Sequence, residues 1–425
     1  MSSSVIDPIP STSLALQSIR AESLDAFNRL RSIHEDSQFV LEVASRYPEY
    51  PLVANQRCGA WYADPSKASS EFAYFKSTDG HFGQWAFNLR RANLHLLSIL
   101  QVSGGIVIVD STRNGKSMPD ALSKTIPLWC AVINEAIRSR DQKTDSFWGI
   151  HGKLYTPPTR VSASEHQQME SLVPGLAQSL LASSFDLPRL EKPLRPFWVT
   201  VRSSTHSLPP DCLPVICVSA SKQVADGIER RATTYTYIQG AADDHESWSM
   251  GLTPSMFWAN QEEFLTCSRD LTPQLIERVV HSSISGGKER QVRAIDAVNG
   301  RISLSSLSSV KQLREDAMVI QVDKPPHNLT TSTALMNPRH LIVYAKDGKT
   351  DQAQLLHEIL PAVDRFGQDW LRSNQSLVVA DVEACYDISI GILMLLLVRH
   401  FDDEGHRREE GQSCEGIPFR LFQST

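Results

Sequence analysis

The stretch Ile106-Val-Ile-Val-Asp-Ser-Thr-Arg-Asn-Gly-Lys-Ser-Met-Pro-Asp-Ala-Leu-Ser-Lys-Thr125 decides the fold. Its first four residues are apolar and β-branched, the composition of a buried strand. Gly104 and Gly105 precede it and end a helical pattern over 84–100. A polar loop, Asp110 to Met118, follows, and a helix begins near Pro119, a residue favoured in first turns. Pro127 either splits that helix or opens a second one reaching about Arg138. A strand running through a polar loop into a helix is the repeating unit of an open α/β sheet, and such sheets bind ligands at the carboxyl ends of their strands. A helix start favours anions. Thr112, Arg113, Lys116 and Lys124 add hydroxyl and cationic groups, and Asp110 stands where a metal or a ribose hydroxyl can be held. The GxxxxGK spacing of a P-loop is missing. A capped helix with solvated charges fits the same residues.

Working outward, apolar residues at helical spacing cover 11–46, and Pro48 and Pro51 end that region. A helical stretch lies near 164–184, strands near 197–201, 215–218 and 235–238, and a helix near 270–282. The following stretch, 286–300, is basic, contains glycines and lacks apolar periodicity, so it reads as a linker between an N-terminal catalytic domain, 1–285, and a C-terminal domain, 301–425. Beyond it come strands near 301–304, 341–344 and 376–380, a long helix at 352–371, and an apolar helix at 389–400 with Leu395 in its core. The expected class is α/β in both parts, with largely parallel sheets.

The 425 residues are 41% apolar with a net charge of −6, which excludes disorder as the dominant state. The longest apolar run is too short for a membrane span, and the start lacks a signal-peptide pattern. Seven scattered cysteines without a CxxC pair suit reduced thiols in a cytoplasmic setting. An acidic chain binds nucleic acid only through local patches. Two are basic, one from Lys76 to Lys124 and one from Arg278 to Arg301.

Two further segments carry chemistry. Tyr74-Phe-Lys-Ser-Thr-Asp-Gly-His81 gathers Lys76, Ser77, Asp79 and His81, a set that can bind phosphate, orient a metal or move a proton, and that also fits an ordinary turn. Tyr237-Ile-Gln-Gly-Ala-Ala-Asp-Asp-His-Glu-Ser-Trp248 places Asp243, Asp244, His245 and Glu246 in succession. Adjacent carboxylates repel, so they call for a cation, a metal or solvent. Mg²⁺ with a diphosphate would meet that need, and so would an acidic helix start beside the helix dipole.

The tract WYADP…YFKSTDGHFGQWAFNLRRANLHLL…VDSTRNGKSMPDALSKTIPLWCAV, followed by YIQGAADDHESWSMGLTPSMFW, resembles the initiator-tRNA 2′-O-ribosylphosphate transferases from about residue 18 to residue 405. The resemblance implies transfer of a 5-phosphoribosyl group from phosphoribosyl pyrophosphate (PRPP) to the ribose 2′-hydroxyl of a T-stem adenosine, a mark that keeps initiator tRNA out of elongation. It implies Mg²⁺, with PRPP as co-substrate. On that reading Lys76, Ser77, Thr112, Arg113, Lys116 and Lys124 face PRPP, and Asp79, His81, Asp110, Asp243, Asp244 and His245 are the candidates for metal and base. Asp110, Asp243 and Asp244 would hold the metal. The tRNA would meet Arg90, Arg91, Lys288, Arg290 and Arg293, with exposed aromatics as stacking options. No membrane and no obligate protein partner is expected.

The family's C-terminal domain resembles dual-specificity phosphatases, through Val378-Val-Ala-Asp-Val-Glu-Ala-Cys-Tyr-Asp-Ile-Ser-Ile-Gly391. A phosphatase needs a thiolate and an Arg six residues later. Here Val382 and Ile388 stand at those positions, and Cys385 comes three residues too late. The loop is therefore read as degenerate. A non-catalytic tRNA-binding protein and a phosphatase-like hydrolase are the alternative functions, and the missing Cys and Arg argue against the second.

Overall fold

The computed structural model describes residues 20–56, 58–112, 115–143, 146–203, 207–224, 227–231, 235–285, 293–295, 298–306, 317–323, 325, 333–345, 354–373, 375–381, 386–402 and 405–408. The chain forms two compact units, Met1–Ser283 and Ile284–Thr425.

In the first unit, α1 (Ala26–Ser45) starts at Asp25, whose carboxylate accepts the Asn28 N–H at 3.0 Å. Strands β1 (Leu52–Asn55), β2 (Phe72–Ala73), β3 (Ile106–Asp110), β4 (Leu194–Thr200) and β5 (Leu213–Ser219) form one parallel sheet in the order β2-β1-β3-β5-β4. The chain steps to one side from β1 to β2 and to the other side from β3 onward. The order therefore reverses between β1 and β3, the place where open α/β sheets leave a ligand crevice.

Alternation along the strands separates two cores. Val53, Ile106, Ile108, Val215 and Cys217 pack on one face with the helices His95–Ser103, Ile126–Asp141 and Ala163–Leu181. Val107, Val109, Ile216 and Val218 pack on the other with α1 and the helix Thr272–Ser285. Strands covered on both faces are apolar throughout.

Several expectations shift. The helix expected over 84–100 exists only as His95–Ser103; a short 3₁₀ turn, Leu89–Arg91, and Asn93 in left-handed conformation (φ 52°) precede it. The helix near Pro119 opens as a π-helical turn, Ala121–Thr125, and continues as Ile126–Asp141 with Pro127 in the first turn. Strand 236–238 (β7) pairs antiparallel with Ile228–Arg230 (β6), outside the main sheet. Strands β1 and β2 were not legible: they are short and lie in Pro- and Ser-bearing surroundings.

The second unit holds β8 (Arg293–Ala294), β9 (Ile302–Ser306), β10 (Met318–Asp323), β11 (Thr333–Asn337), β12 (His340–Tyr344) and β13 (Leu377–Asp381), in the order β11-β12-β10-β13-β9-β8. The inner four strands are parallel and the outer two antiparallel. The helix Leu360–Leu371 and the helix Tyr386–His400 contribute Val363, Trp370, Ile392 and Leu396 to its core. Leu396, not Leu395, is the fully buried leucine, and Ile390 and Met394 stand in solvent. Val382 and Cys385 lie outside the described residues. Among the described residues no helix is long and apolar enough to cross a membrane.

Candidate active site

Asp110 ends β3 in register with Ser219 of β5, and both belong to the face that carries Ile108 and Cys217. Its carboxylate is buried. Oδ2 accepts from Asn55 Nδ2 at 2.8 Å and Oδ1 accepts from the Ser111 N–H at 2.8 Å. Asn55 ends β1, so this contact spans the point where strand order reverses. The same Asn55 amide fixes the next segment: its Oδ1 accepts from the Phe75 N–H at 2.8 Å and its Nδ2 donates to the Phe75 carbonyl at 2.9 Å. Ser219 Oγ, fully buried beside Asp110 in the sheet, has no hydrogen-bond partner among the described residues.

The segment after Phe75 then folds onto the start of the 121–141 helical run. The Thr125 hydroxyl donates to the Lys76 carbonyl at 3.0 Å, and Ser77 Oγ accepts from the Ala121 N–H at 3.2 Å. Gly80 permits the approach, because a Cβ there would lie 2.8 Å from Thr125 Oγ1 and 2.9 Å from the Asp120 carbonyl. Lys76 and His81 are exposed on this turn.

The third segment arrives through Gln239, which is buried. Its Nε2 donates to the carbonyls of Thr112 at 3.2 Å and Lys116 at 2.6 Å. Its Oε1 accepts from the N–H groups of Gly115 at 3.2 Å and Val224 at 3.0 Å. Two donors and two acceptors exhaust the amide's capacity, so Gln239 clamps the loop after β3 at three points and ties it to Val224 in the loop after β5. Tyr62 adds a second clasp: its hydroxyl oxygen accepts from Ser111 Oγ at 3.1 Å and from the Ala242 N–H at 3.1 Å. Burial pushes the Tyr62 phenol far above its ordinary pKa, so it stays protonated. Gly59 lets the short helix Gly59–Tyr62 lie on β3, since a Cβ would meet the Val109 carbonyl at 2.2 Å.

The three segments singled out in the sequence thus converge on the carboxyl ends of β1 and β3, but their side chains divide. Asp79 is an ion-pair partner of Arg91, with Nη2 at 3.0 Å from Oδ2. Arg91 therefore braces the turn, and its charge is already matched. Lys124 is buried between Glu165, whose Oε1 lies 2.7 Å from Nζ, and Asp120 at 3.6 Å. Lys124 is accordingly a packing cation in this arrangement. Lys116 is half-exposed, 3.8 Å from Asp120, and Arg90 is exposed. The Thr112 backbone is held by Gln239.

Asp243 accepts from the Cys58 thiol at 2.9 Å, and its carbonyl accepts from Arg29 at 2.9 Å. His245 packs against Trp61 with centroids 6.2 Å apart, and Asp244 is exposed with φ at 48°. Among the described residues no three His, Cys, Asp or Glu side chains are gathered closely enough to hold a metal ion. Asp110, Asp243 and Asp244 therefore do not form one three-carboxylate site. Arg113, Lys288 and Arg290 lie outside the described residues, as does the side chain of Arg293.

Residues that sequence reasoning missed include Asn55, Tyr62, Gln239 and the buried group behind them. Asp36 accepts from Tyr237 Oη at 2.7 Å and from Ser221 Oγ at 2.8 Å, and Ser221 Oγ accepts from the Gly240 N–H at 3.2 Å. Burial pushes the Asp36 carboxyl up to about 8, with its two hydrogen bonds opposing the rise. On α1, Asn28, Ser32 and Asp36 form a stripe at four-residue spacing. The first two accept the N–H groups of Thr236 (3.0 Å) and Ile238 (2.8 Å). That periodic polar stripe, lying on the buried face of the helix, was the readable signal.

The Rit1 N-terminal domain family matches residues 19–281, more than half of the chain, and the Rit1 DUSP-like domain family matches residues 339–417. The chain belongs to the Rit1 family. Among its relatives is the tRNA A64-2′-O-ribosylphosphate transferase of Saccharomyces cerevisiae, 39% identical over 327 residues, covering 68% of this chain and 63% of that protein. An uncharacterised protein of Schizosaccharomyces pombe is 43% identical over 274 residues, covering 63% of this chain and 59% of that one. The Rit1-family chain thus spans about three fifths of the length of the curated relatives it matches. No solved structure matches it significantly. The Rit1 N-terminal match covers all three converging segments, and the expected resemblance to dual-specificity phosphatases holds for the second unit.

Proposed function

We propose that this chain is a tRNA 2′-O-ribosylphosphate transferase, using PRPP as donor and initiator tRNA as acceptor. What supports the reading is the meeting of three polar segments at the β1/β3 crevice, in a chain similar to a protein named for that transfer.

In the proposed reaction the tRNA 2′-oxygen attacks C1 of the ribosyl group. The bond from C1 to the pyrophosphate oxygen breaks, and the hydroxyl proton passes to a base. Positioning and charge neutralisation dominate such a step. We assign Lys76 and Lys116, both solvent-facing on the converging loops, to the phosphates of PRPP, together with Ser77, Thr112 and Arg113. Asp110 would hold Mg²⁺ as a single protein carboxylate, with water and the diphosphate of PRPP completing its shell. Bound there, Mg²⁺ would supply charge neutralisation at the leaving group. His81 is our choice for the proton, because its imidazole is exposed on the converging turn and the neighbouring Asp79 is already matched by Arg91. Asp243 and His245 belong to the clasp around Cys58 and Trp61 and are left out of the chemistry. The reading places the enzyme in the cytoplasm, where initiator tRNA is used.

The test is incubation of the chain with labelled PRPP, Mg²⁺ and either initiator or elongator tRNA. Label is expected in initiator tRNA alone and only with Mg²⁺. Tight tRNA binding with no incorporation would make this a binding protein instead.

A further inference from the structure

Phe82 is 68% exposed, the most exposed aromatic ring among the described residues. It occupies a corner of a tight turn, closed by the Gln84 N–H donating to the His81 carbonyl at 2.9 Å, with Gly83 at φ 73° behind it. The left-handed glycine lets the chain reverse there, and it projects the residue before it. Trp85 braces the ring in a T-shaped contact with centroids 5.3 Å apart. Tyr74, 45% exposed, lies on the same excursion, held by His95 at 6.0 Å.

The excursion is rigidly founded. The Ala86 N–H donates to the Asp79 carbonyl at 3.0 Å, and Arg91 pairs with the Asp79 carboxylate. Asn93 Oδ1 accepts from the Tyr74 N–H at 2.8 Å. At 68% exposure the phenyl ring contributes little apolar burial to the fold. Along the segment from residue 76 to residue 91 the one carboxylate, Asp79, pairs with Arg91, and Lys76 and Arg90 remain as exposed cations, in a chain of net charge −6. An aromatic face amid fixed positive charge is the surface that stacks nucleobases while the phosphate backbone is held beside it.

We infer that Phe82 is a base-stacking platform for the RNA acceptor, with Arg90 on the adjoining phosphate. This rests on the tRNA reading above and deepens it. The acceptor hydroxyl would then approach beside His81, one residue from the platform. A ring that stacks contributes without reading sequence, so Phe82 sets affinity for RNA rather than the choice of base.

The experiment measures the dissociation constant of the full chain for initiator tRNA without PRPP, across a salt series, in wild type, Phe82→Ala, Phe82→Trp and Arg90→Ala. Thermal melting checks each fold. Phe82→Ala is expected to weaken binding roughly five- to a hundredfold with an unchanged salt slope, and Phe82→Trp to stay within about threefold of wild type. Arg90→Ala should flatten the slope by about one counterion. KM for PRPP should not move in Phe82→Ala. A wild-type chain that binds and modifies tRNA, with Phe82→Ala binding equally well, would overturn the platform alone. A chain that binds tRNA through Phe82 but transfers nothing would keep the platform and remove the transferase reading. No RNA binding by wild type would overturn both.

Discussion

Asn55 and Asp110, 55 residues apart, meet at 2.8 Å where the strand order of the first sheet reverses. The amide donates to the carboxylate and, with its remaining capacity, fixes the backbone of Phe75 on the neighbouring segment. One side chain thus ties the end of β3 to the root of the Lys76–His81 turn.

The pair can be dissected. Asp110→Asn keeps the shape but sets an NH2 against one of two donors, Asn55 Nδ2 or the Ser111 N–H, so it should cost about 1–3 kcal/mol of stability, and transfer is compared at a temperature where both chains are folded. Transfer should fall at least about a hundredfold, the scale of a lost electrostatic group in an active site. Asn55→Ala removes one donor to the buried Asp110 carboxylate and the side-chain partner of the Phe75 N–H and carbonyl, at a cost of about 2–4 kcal/mol in urea unfolding. Wild-type transfer rates in Asp110→Asn would remove this carboxylate from the site.

Gln239 makes four hydrogen bonds, and Gln239→Glu separates its donors from its acceptors. An ionised carboxylate still accepts from Gly115 and Val224 but faces the carbonyls of Thr112 and Lys116 with nothing to donate. Protonation returns one donor. The variant's kcat/KM for PRPP should therefore drop about tenfold or more at pH 8 and recover toward pH 6, relative to wild type. Gln239→Leu should show the loss without the recovery. Wild-type kcat/KM in both variants would mean that the clamp does not position the loop.

Much of this site was legible in the sequence, and the limits have physical causes. The strand at 106–110 and the loop after it announced themselves because a central parallel strand is apolar on both faces. Strand β10 carries Val319, Gln321 and Asp323 on alternate positions, so its apolar signal was halved and it went unread. Charge was a poor guide to role: Arg91 and Lys124 looked like ligand-binding cations, yet each has a carboxylate partner far away in sequence or across a turn. The neutral amides Asn55 and Gln239 organise the site, and no composition count marks an amide whose partners are backbone groups supplied by the fold.

Two lysines separate binding from packing. Lys116 is half-exposed, and Lys116→Ala should weaken PRPP use by roughly 1.5–3 kcal/mol, the scale of a charged hydrogen bond, with little change in Tm. Lys124 is buried beside Glu165 and Asp120, and Lys124→Met takes away the cation beside Glu165, while Asp120 keeps Lys116. That should cost about 3–5 kcal/mol of stability. Comparing the KM for PRPP with the urea midpoint distinguishes the two roles. A Lys124→Met chain of normal stability with a raised KM would return Lys124 to the PRPP site.

The last prediction concerns pH and the Asp36 network behind the Gln239 loop. Burial raises the folded-state pKa of Asp36 to about 8, whereas an unfolded aspartate titrates near 4. Between those values the folded chain holds a proton that the unfolded chain has released. The stability contributed by this group is therefore fully present below about pH 4 and is lost progressively as pH rises through the folded value. Asp36→Asn replaces the carboxyl by a neutral group that can still accept from the Tyr237 hydroxyl, 2.7 Å away in the wild type. The variant should be the less pH-sensitive chain. Its urea midpoint relative to wild type should rise steadily from pH 5 to pH 8, because wild type alone loses the Asp36 contribution. Other titrating groups are common to both chains and cancel in the comparison. A midpoint difference that stays constant across that window would mean that Asp36 ionises at an ordinary pH, and that the Tyr237 and Ser221 hydroxyls hold it as a carboxylate.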